Sequence, residues 1–177
     1  YPKSVNMRSY NPAVEGDSAQ IARAADAIAK AKKPVFYIGG GVILASAWEH
    51  LRALVKTVGA PVTSTLMGLG AYPGTDPLSL GMLGMHGTFE ANMAMDGADL
   101  VVALGARFDD RVTNNPAKFS PKATIIHMDI DAASINKIID ADIPLLGDGA
   151  WVLEHLLAST TAAIAQQDET AAQSRQS

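Results

Sequence analysis

The sequence predicts an α/β fold of the doubly wound kind, a mostly parallel sheet of about six strands with helices on both faces. Three observations carry this reading. The runs VFYI (35–38) and DLVVALG (99–105) are nearly continuous in apolar residues, without the polar alternation of a sheet that has one wet face, and ATIIHMDID (123–131) reads as a further strand. Segments with apolar residues at helical spacing alternate with these runs. The turns between them are short and rich in Gly and Asp, as right-handed β–α crossovers require.

Residues 1–16 include Pro2 and Pro12, show no helical or alternating period, and read as an incoming linker. Asp17 is placed as a helix N-cap with Gln20 positioned for a capping box, and Ile21, Ala25, Ile28 and Ala29 recur on one face behind it. Lys30, Lys32 and Lys33 suit the negative end of the helix dipole, and Pro34 stops the helix before the first strand. Gly39-Gly40-Gly41 then leads to a second helix, with Leu51, Leu54, Val55 and Val58 on its apolar stripe and Gly59 as its C-cap. PVTST (61–65) is the next strand. The stretch 66–87 carries Gly68, Gly70, Gly74, Gly81, Gly84 and Gly87 together with Met67, Met82 and Met85. It reads as a long loop without regular structure, mobile until a ligand or partner orders it. A short helix around 90–95 precedes the strand 99–105. The polar loop RFDDRVTNN, the strand 123–131, a helix around 134–139, the strand IPLLG (143–147) and a helix around 150–157 complete the domain. The domain thus spans 17–158, and 159–177, poor in apolar surface, reads as a mobile tail.

Composition narrows the function. A chain of 177 residues suits one core, and 14 Lys and Arg against 18 Asp and Glu leave a formal charge of −4. That balance speaks against a nucleic-acid surface. The absence of Cys excludes a disulfide scaffold, a zinc ribbon and a thiol nucleophile. No apolar run reaches the roughly 18 residues of a membrane span, and the expected location is the cytoplasm. A start at Tyr1 instead of Met, and a polar Ala/Gln/Ser-rich end, read as the limits of a piece of a longer polypeptide.

Ligands of open parallel sheets lie beyond the carboxyl ends of the strands, where the strand order reverses. The turns expected there are GGG, LMGLG, GARFDDRV, DID and GDG, and together they predict a nucleotide-sized ligand. Leu44 stands where a dinucleotide fingerprint needs its third Gly, which weakens a nicotinamide-nucleotide module without removing it. Asp129 is placed to accept hydrogen bonds from a ribose, or simply to shape a turn. Arg107 and Arg111 suit bidentate phosphate binding, or an ion-pair network with Asp109 and Asp110. His50, His86, His127 and His155 show no ligand spacing, so no metal site is assigned. No nucleophile stands beside a base, and no catalytic residue is assigned.

KKPVFYIGGG, TSTLMGLGAYPGTDPLSLGMLGMHGT, ALGARFDDRVT and IIHMDIDAASINK, in that order, closely resemble the central domain of the biosynthetic acetolactate (acetohydroxyacid) synthases. These are thiamine-diphosphate-dependent enzymes, and the resemblance spans about 4–157, the whole domain on the reading above. It implies a Rossmann-like domain that binds FAD in an extended conformation between two further domains holding thiamine diphosphate and magnesium. The implied reaction decarboxylates pyruvate and joins the two-carbon unit to a second 2-ketoacid. A homo-oligomer of catalytic subunits and a small regulatory subunit are implied partners, and this piece alone should be inactive. GDG at 147–149 looks like the opening of the family's magnesium motif, but no Asn follows Asn136 to complete it.

Carried over residue by residue, Arg8 matches a linker arginine on the FAD, and Gly39, Gly40 and Gly41 match the turn against its backbone. Thr65, Leu66 and Met67, with Leu83, Gly84, Met85, His86 and Gly87, match loops along the flavin half. Gly105, Ala106, Arg107, Asp109, Arg111 and Val112 match the turn at the diphosphate and ribityl portion. Asp129, Ile130, Asp148 and Gly149 match the adenosine end. Met85 and Asp110 also match positions on the substrate channel. A related thiamine-dependent carboligase or oxidase is the alternative within the same fold.

Overall fold

A computed structural model describes residues 12–174. Arg8 and most of the expected linker lie outside the described residues. The chain runs α1 (Ser18–Lys30), β1 (Pro34–Ile38), α2 (Gly40–Leu44), α3 (Trp48–Val58), β2 (Val62–Ser64), β3 (Ser79–Met82), α4 (Phe89–Asp96), β4 (Leu100–Leu104), α5 (Asp110–Thr113), β5 (Thr124–Asp129), β6 (Ile143–Leu146) and α6 (Gly149–Ser174), with 3-10 turns at Leu66–Gly68 and Pro116–Lys118.

The strands form one sheet in the order β3-β2-β1-β4-β5-β6, every neighbouring pair parallel. The order reverses between β1 and β4, which run side by side from Pro34 opposite Leu100 to Ile38 opposite Leu104. This pair is pinned at its amino end, where the Asp99 carboxylate accepts hydrogen bonds from the Lys32 N–H (2.8 Å) and the Lys33 N–H (2.9 Å). Such charge-assisted bonds fix the register, and the register decides where the carboxyl ends of the two strands emerge. Asp142 does the same for the outer strands by accepting from the Ile125 N–H at 2.8 Å.

One face of the sheet, including Phe36, Ile38, Val102, Leu104, Ile126 and Met128, packs with α1, α3 and α6. The other face, including Val35, Tyr37, Val101, Ala103 and Ile125, packs with α4 and with Ala106, Phe108 and Phe119 of the segment between β4 and β5. The second layer is therefore part helix and part irregular chain, thinner than the sequence suggests.

Four expectations differ from the structure. Residues 134–139 form turns instead of a helix. Asn136 takes a left-handed φ of 60° and its side-chain oxygen accepts from the Ala141 N–H at 2.7 Å, the local backbone bonding by which Asn competes with helix. Stretch 66–87 is not structureless, because β3 adds to β2 as the edge strand. All of its residues are half-buried, so it lacks both an apolar run and an alternation, and its pairing with β2 shifts register between Val62 and Ser64. The last helix does not end near residue 157 but continues to Ser174, with Thr160 buried against the domain. Its Ala- and Gln-rich continuation has high intrinsic helix propensity, a signal that outlasts the apolar stripe. Finally, Asp17 caps α1 through the Ala19 N–H (2.8 Å), but Gln20 bonds Arg23 (3.0 Å) and closes no reciprocal box. Among the described residues no helix is long and apolar enough to cross a membrane.

Candidate functional site

The turns singled out from the sequence all emerge at the carboxyl edge of the sheet. In spatial order they are 83–87 after β3, 65–67 after β2, 39–41 after β1, 105–112 after β4, 129–130 after β5 and 148–149 after β6. At ~4.8 Å per strand the line they make is about 24 Å long, the scale of an extended dinucleotide and not of a compact pocket. A cleft of about 690 Å³ opens at the opposite, amino edge beside Lys33, Pro61 and Gly97, and contains none of these turns.

At the switch point the β1 and β4 turns interlock. The Gly39 N–H donates to the Leu104 carbonyl (2.9 Å) and the Gly41 N–H to the Gly105 carbonyl (3.2 Å). A Cβ on Gly41 would lie 2.7 Å from the Gly105 Cα, and one on Gly39 would overlap the Gly105 carbonyl oxygen. Gly105 itself has a left-handed φ of 60°. Gly39, Gly41 and Gly105 thus lack side chains because two backbones meet there. Gly40 is the more open position, with Met67 as its nearest neighbour.

The neighbouring turns are tied to this centre. The Thr65 N–H donates to the Ile38 carbonyl (2.9 Å) and its hydroxyl oxygen accepts from the Gly68 N–H (3.0 Å), leaving Leu66 and Met67 exposed. The Met85 N–H donates to the Arg111 carbonyl at 3.0 Å, and Gly84 packs on the same carbonyl and on Val112. Asn92 holds Gly84 through both its N–H (3.3 Å) and its carbonyl (3.1 Å). Leu83 is buried, whereas Met85 and His86 are exposed. At the far end Asp129 accepts from the Asp131 N–H (2.9 Å), Ile130 is exposed, and Gly149 packs on Ala45. Asp148 accepts from the Ala150 (3.0 Å) and Trp151 (3.3 Å) N–H groups, so it caps α6.

The electrostatics centre on Arg107 and Arg111. Arg107 is 70% exposed and reaches Asp109, itself 61% exposed, only at 3.4 Å, a pair worth little in water. Asp110 accepts the Arg111 backbone N–H (2.9 Å), and among the described residues the Arg111 side chain forms no ion pair. Two accessible guanidinium groups in mid-line offer what a diphosphate needs. Among the described residues no group of His, Asp or Glu side chains could hold a metal ion.

Beneath this turn lies a layer the sequence reading passed over. Phe108 is buried with a left-handed φ of 55° between exposed Arg107 and Asp109. Its ring stands 5.6 Å from that of Tyr37, 5.0 Å from that of His127 and 5.7 Å from that of Phe119. The signal available was a lone aromatic inside an otherwise polar loop. His127 is 1% exposed, and its Nε2 lies 2.8 Å from the Ala106 carbonyl, which makes Nε2 the protonated, donating nitrogen. Burial lowers the His127 pKa, outweighing the raising effects of the Ala106 carbonyl and Asp129. Burial, aided by the charge of Asp109, raises that of the Tyr37 phenol. Well above pH 6.5 His127 is neutral in both folded and unfolded chains. As pH falls below 6.5 the unfolded chain binds a proton that the folded one resists, so stability declines until the lowered folded pKa is passed. His127→Gln should flatten that acid-side decline in urea titrations between pH 7 and pH 5. An unchanged pH dependence would show that His127 protonates as readily folded as unfolded.

Comparison with known proteins places these features in a family. Residues 21–156 match the model of the thiamine pyrophosphate enzyme central domain. The chain is 54% identical over 157 residues to the acetolactate synthase isozyme 3 large subunit of Escherichia coli, covering 89% of this chain and 27% of that protein. It is 52% identical to the acetolactate synthase large subunit of Haemophilus influenzae over the same shares of the two chains. With that of Corynebacterium glutamicum the identity is 46%, over 96% of this chain and 27% of the relative. Among solved structures, a Mycobacterium smegmatis protein described as a thiamin diphosphate-dependent enzyme superposes with a TM-score of 0.69 at 25% identity, covering 88% of this chain and 30% of that one. The chain spans about a quarter of the length of these curated relatives. The chain belongs to the thiamine pyrophosphate enzyme family, of which it is a central domain.

Proposed function

We propose that the chain is the FAD-binding middle domain of an acetolactate synthase large subunit. The observation that carries this reading is the line of six strand-end turns, with exposed Arg111 and Arg107, the latter only loosely paired with Asp109, at its centre. A diphosphate would be held there by the two guanidinium groups. The flavin half would lie along exposed Leu66, Met67 and Met85, and the adenosine half toward Asp129 and Ile130. The relatives' names and the family imply pyruvate decarboxylation followed by carboligation to a second 2-ketoacid. That reaction is redox-neutral overall, so FAD would be a structural group there. Thiamine diphosphate and magnesium would be held by the remainder of the polypeptide. We further propose a homo-oligomer of such subunits with a small regulatory subunit, working in the cytoplasm.

Titration with FAD tests this reading. FAD is expected to raise the melting temperature, and at a hundredfold excess over its Kd to add about 2.7 kcal/mol of stability. NADH and NADPH are expected to add none. Stabilisation by a nicotinamide nucleotide with none by FAD would replace the proposal with the nicotinamide reading.

A further inference from the structure

We infer that His127 and Phe108 are positioning residues for the strand-end site, a latch that holds the Gly105–Arg111 turn on the sheet without touching a ligand. The inference rests on the FAD reading for its consequence, and on geometry for its substance. Tyr37, Ala103 and His127 stand opposite one another in one row across β1, β4 and β5. Two rings flank a residue with only a methyl group, and the Phe108 ring lies 5.6 Å from one and 5.0 Å from the other. The small residue in the middle of the row thus leaves room for a third ring. Phe108 takes it at the cost of a left-handed backbone that a bulky L-residue rarely adopts. Such a conformation persists only where surrounding contacts over-determine it.

The second tie is the hydrogen bond of His127 to the Ala106 carbonyl at 2.8 Å, two residues before Phe108. Ring and hydrogen bond together fix the chain on both sides of Arg107, whose own side chain is exposed and contributes no anchor. The same seat leaves polar atoms without partners among the described residues, since Tyr37 Oη and His127 Nδ1 are buried and make no hydrogen bond there. An apolar pair in those positions would fill the space without that penalty. The imidazole is therefore explained by its Nε2 donor, and the donor acts on the turn.

Two readouts test the latch in the protein carrying this chain. The first is amide hydrogen exchange without FAD at residues 112–114, whose N–H groups bond the carbonyls of Asp109 and Asp110. The second is the Kd for FAD. His127→Leu should speed exchange at 112–114 while leaving the β1 and β4 amides protected, and should raise the Kd about tenfold, the equivalent of one lost hydrogen bond. His127→Gln, whose amide reaches as far as Nε2, should restore both. Phe108→Leu, which keeps apolar volume but shrinks the ring, should speed the same amides, and it serves in place of His127→Leu if that variant does not fold. Folded variants with unchanged exchange at 112–114, or a Gln variant as loose as the Leu variant, would overturn the latch. Parent protein that fails to bind FAD would instead overturn the FAD reading, and the exchange result would still decide the latch.

Discussion

Gly39→Ala should lower stability by at least about 3 kcal/mol, the upper part of the range for overpacking, because the obstruction is main chain and not a movable side chain. Gly39 has φ −120° and ψ −176°, a conformation open to any residue, so the effect is steric alone. The new Cβ would overlap the Gly105 carbonyl oxygen and lie 2.7 Å from the Ala106 Cα. Those atoms cannot withdraw freely, since the Gly105 N–H donates to the Met128 carbonyl at 2.9 Å and the Ala106 carbonyl bonds His127. Gly59→Ala is the control. Gly59 has a left-handed φ of 69° and nothing near its missing Cβ, so Ala there should cost only the backbone strain of about 1–2 kcal/mol. For a domain of this size the Gly39 variant should melt about 6–12 °C below the parent. Equal melting temperatures for the two variants would show that the β1 and β4 turns can part without penalty.

This contrast shows what the sequence carried and what it did not. The buried strands 35–38 and 99–105 were legible because double-sided burial leaves an uninterrupted apolar run. Gly59 was legible as a helix end, where one residue's conformation decides the choice. The GGG turn was legible as important but not for its reason. Its neighbour is Gly105, far along the chain, and a contact between two glycines leaves no pattern in either segment. Edge strand β3 failed for a related cause, since it is set by its pairing with β2, whereas the turns at 134–139 rest on one local bond, from the Ala141 N–H to Asn136, that apolar spacing does not register. The latch lay hidden for the same reason. Tyr37, Ala103, Phe108 and His127 become neighbours only when three strands align in register.

Arg107→Ala should weaken FAD binding by about 1.5–3 kcal/mol, the worth of a hydrogen bond to a charged group, or roughly ten- to a hundredfold in Kd. The structure separates this effect from any role in stability. Arg107 meets Asp109 at 3.4 Å with both side chains largely in water, and such pairs contribute about 0–1 kcal/mol. The melting temperature without ligand should therefore stay nearly constant while the affinity falls. Arg107→Lys should recover only part of the affinity, because an ammonium keeps the charge but loses the planar fork that meets two phosphate oxygens. The loss should also shrink as salt rises, since an exposed charge acts through a screened field. Asp109→Asn gives the opposing expectation, because freeing Arg107 from its ion-pair partner among the described residues should leave FAD binding unchanged or tighter. If Arg107→Ala instead lowers the melting temperature and leaves the FAD Kd unchanged, the arginine serves its own turn and the diphosphate must be held elsewhere along the edge.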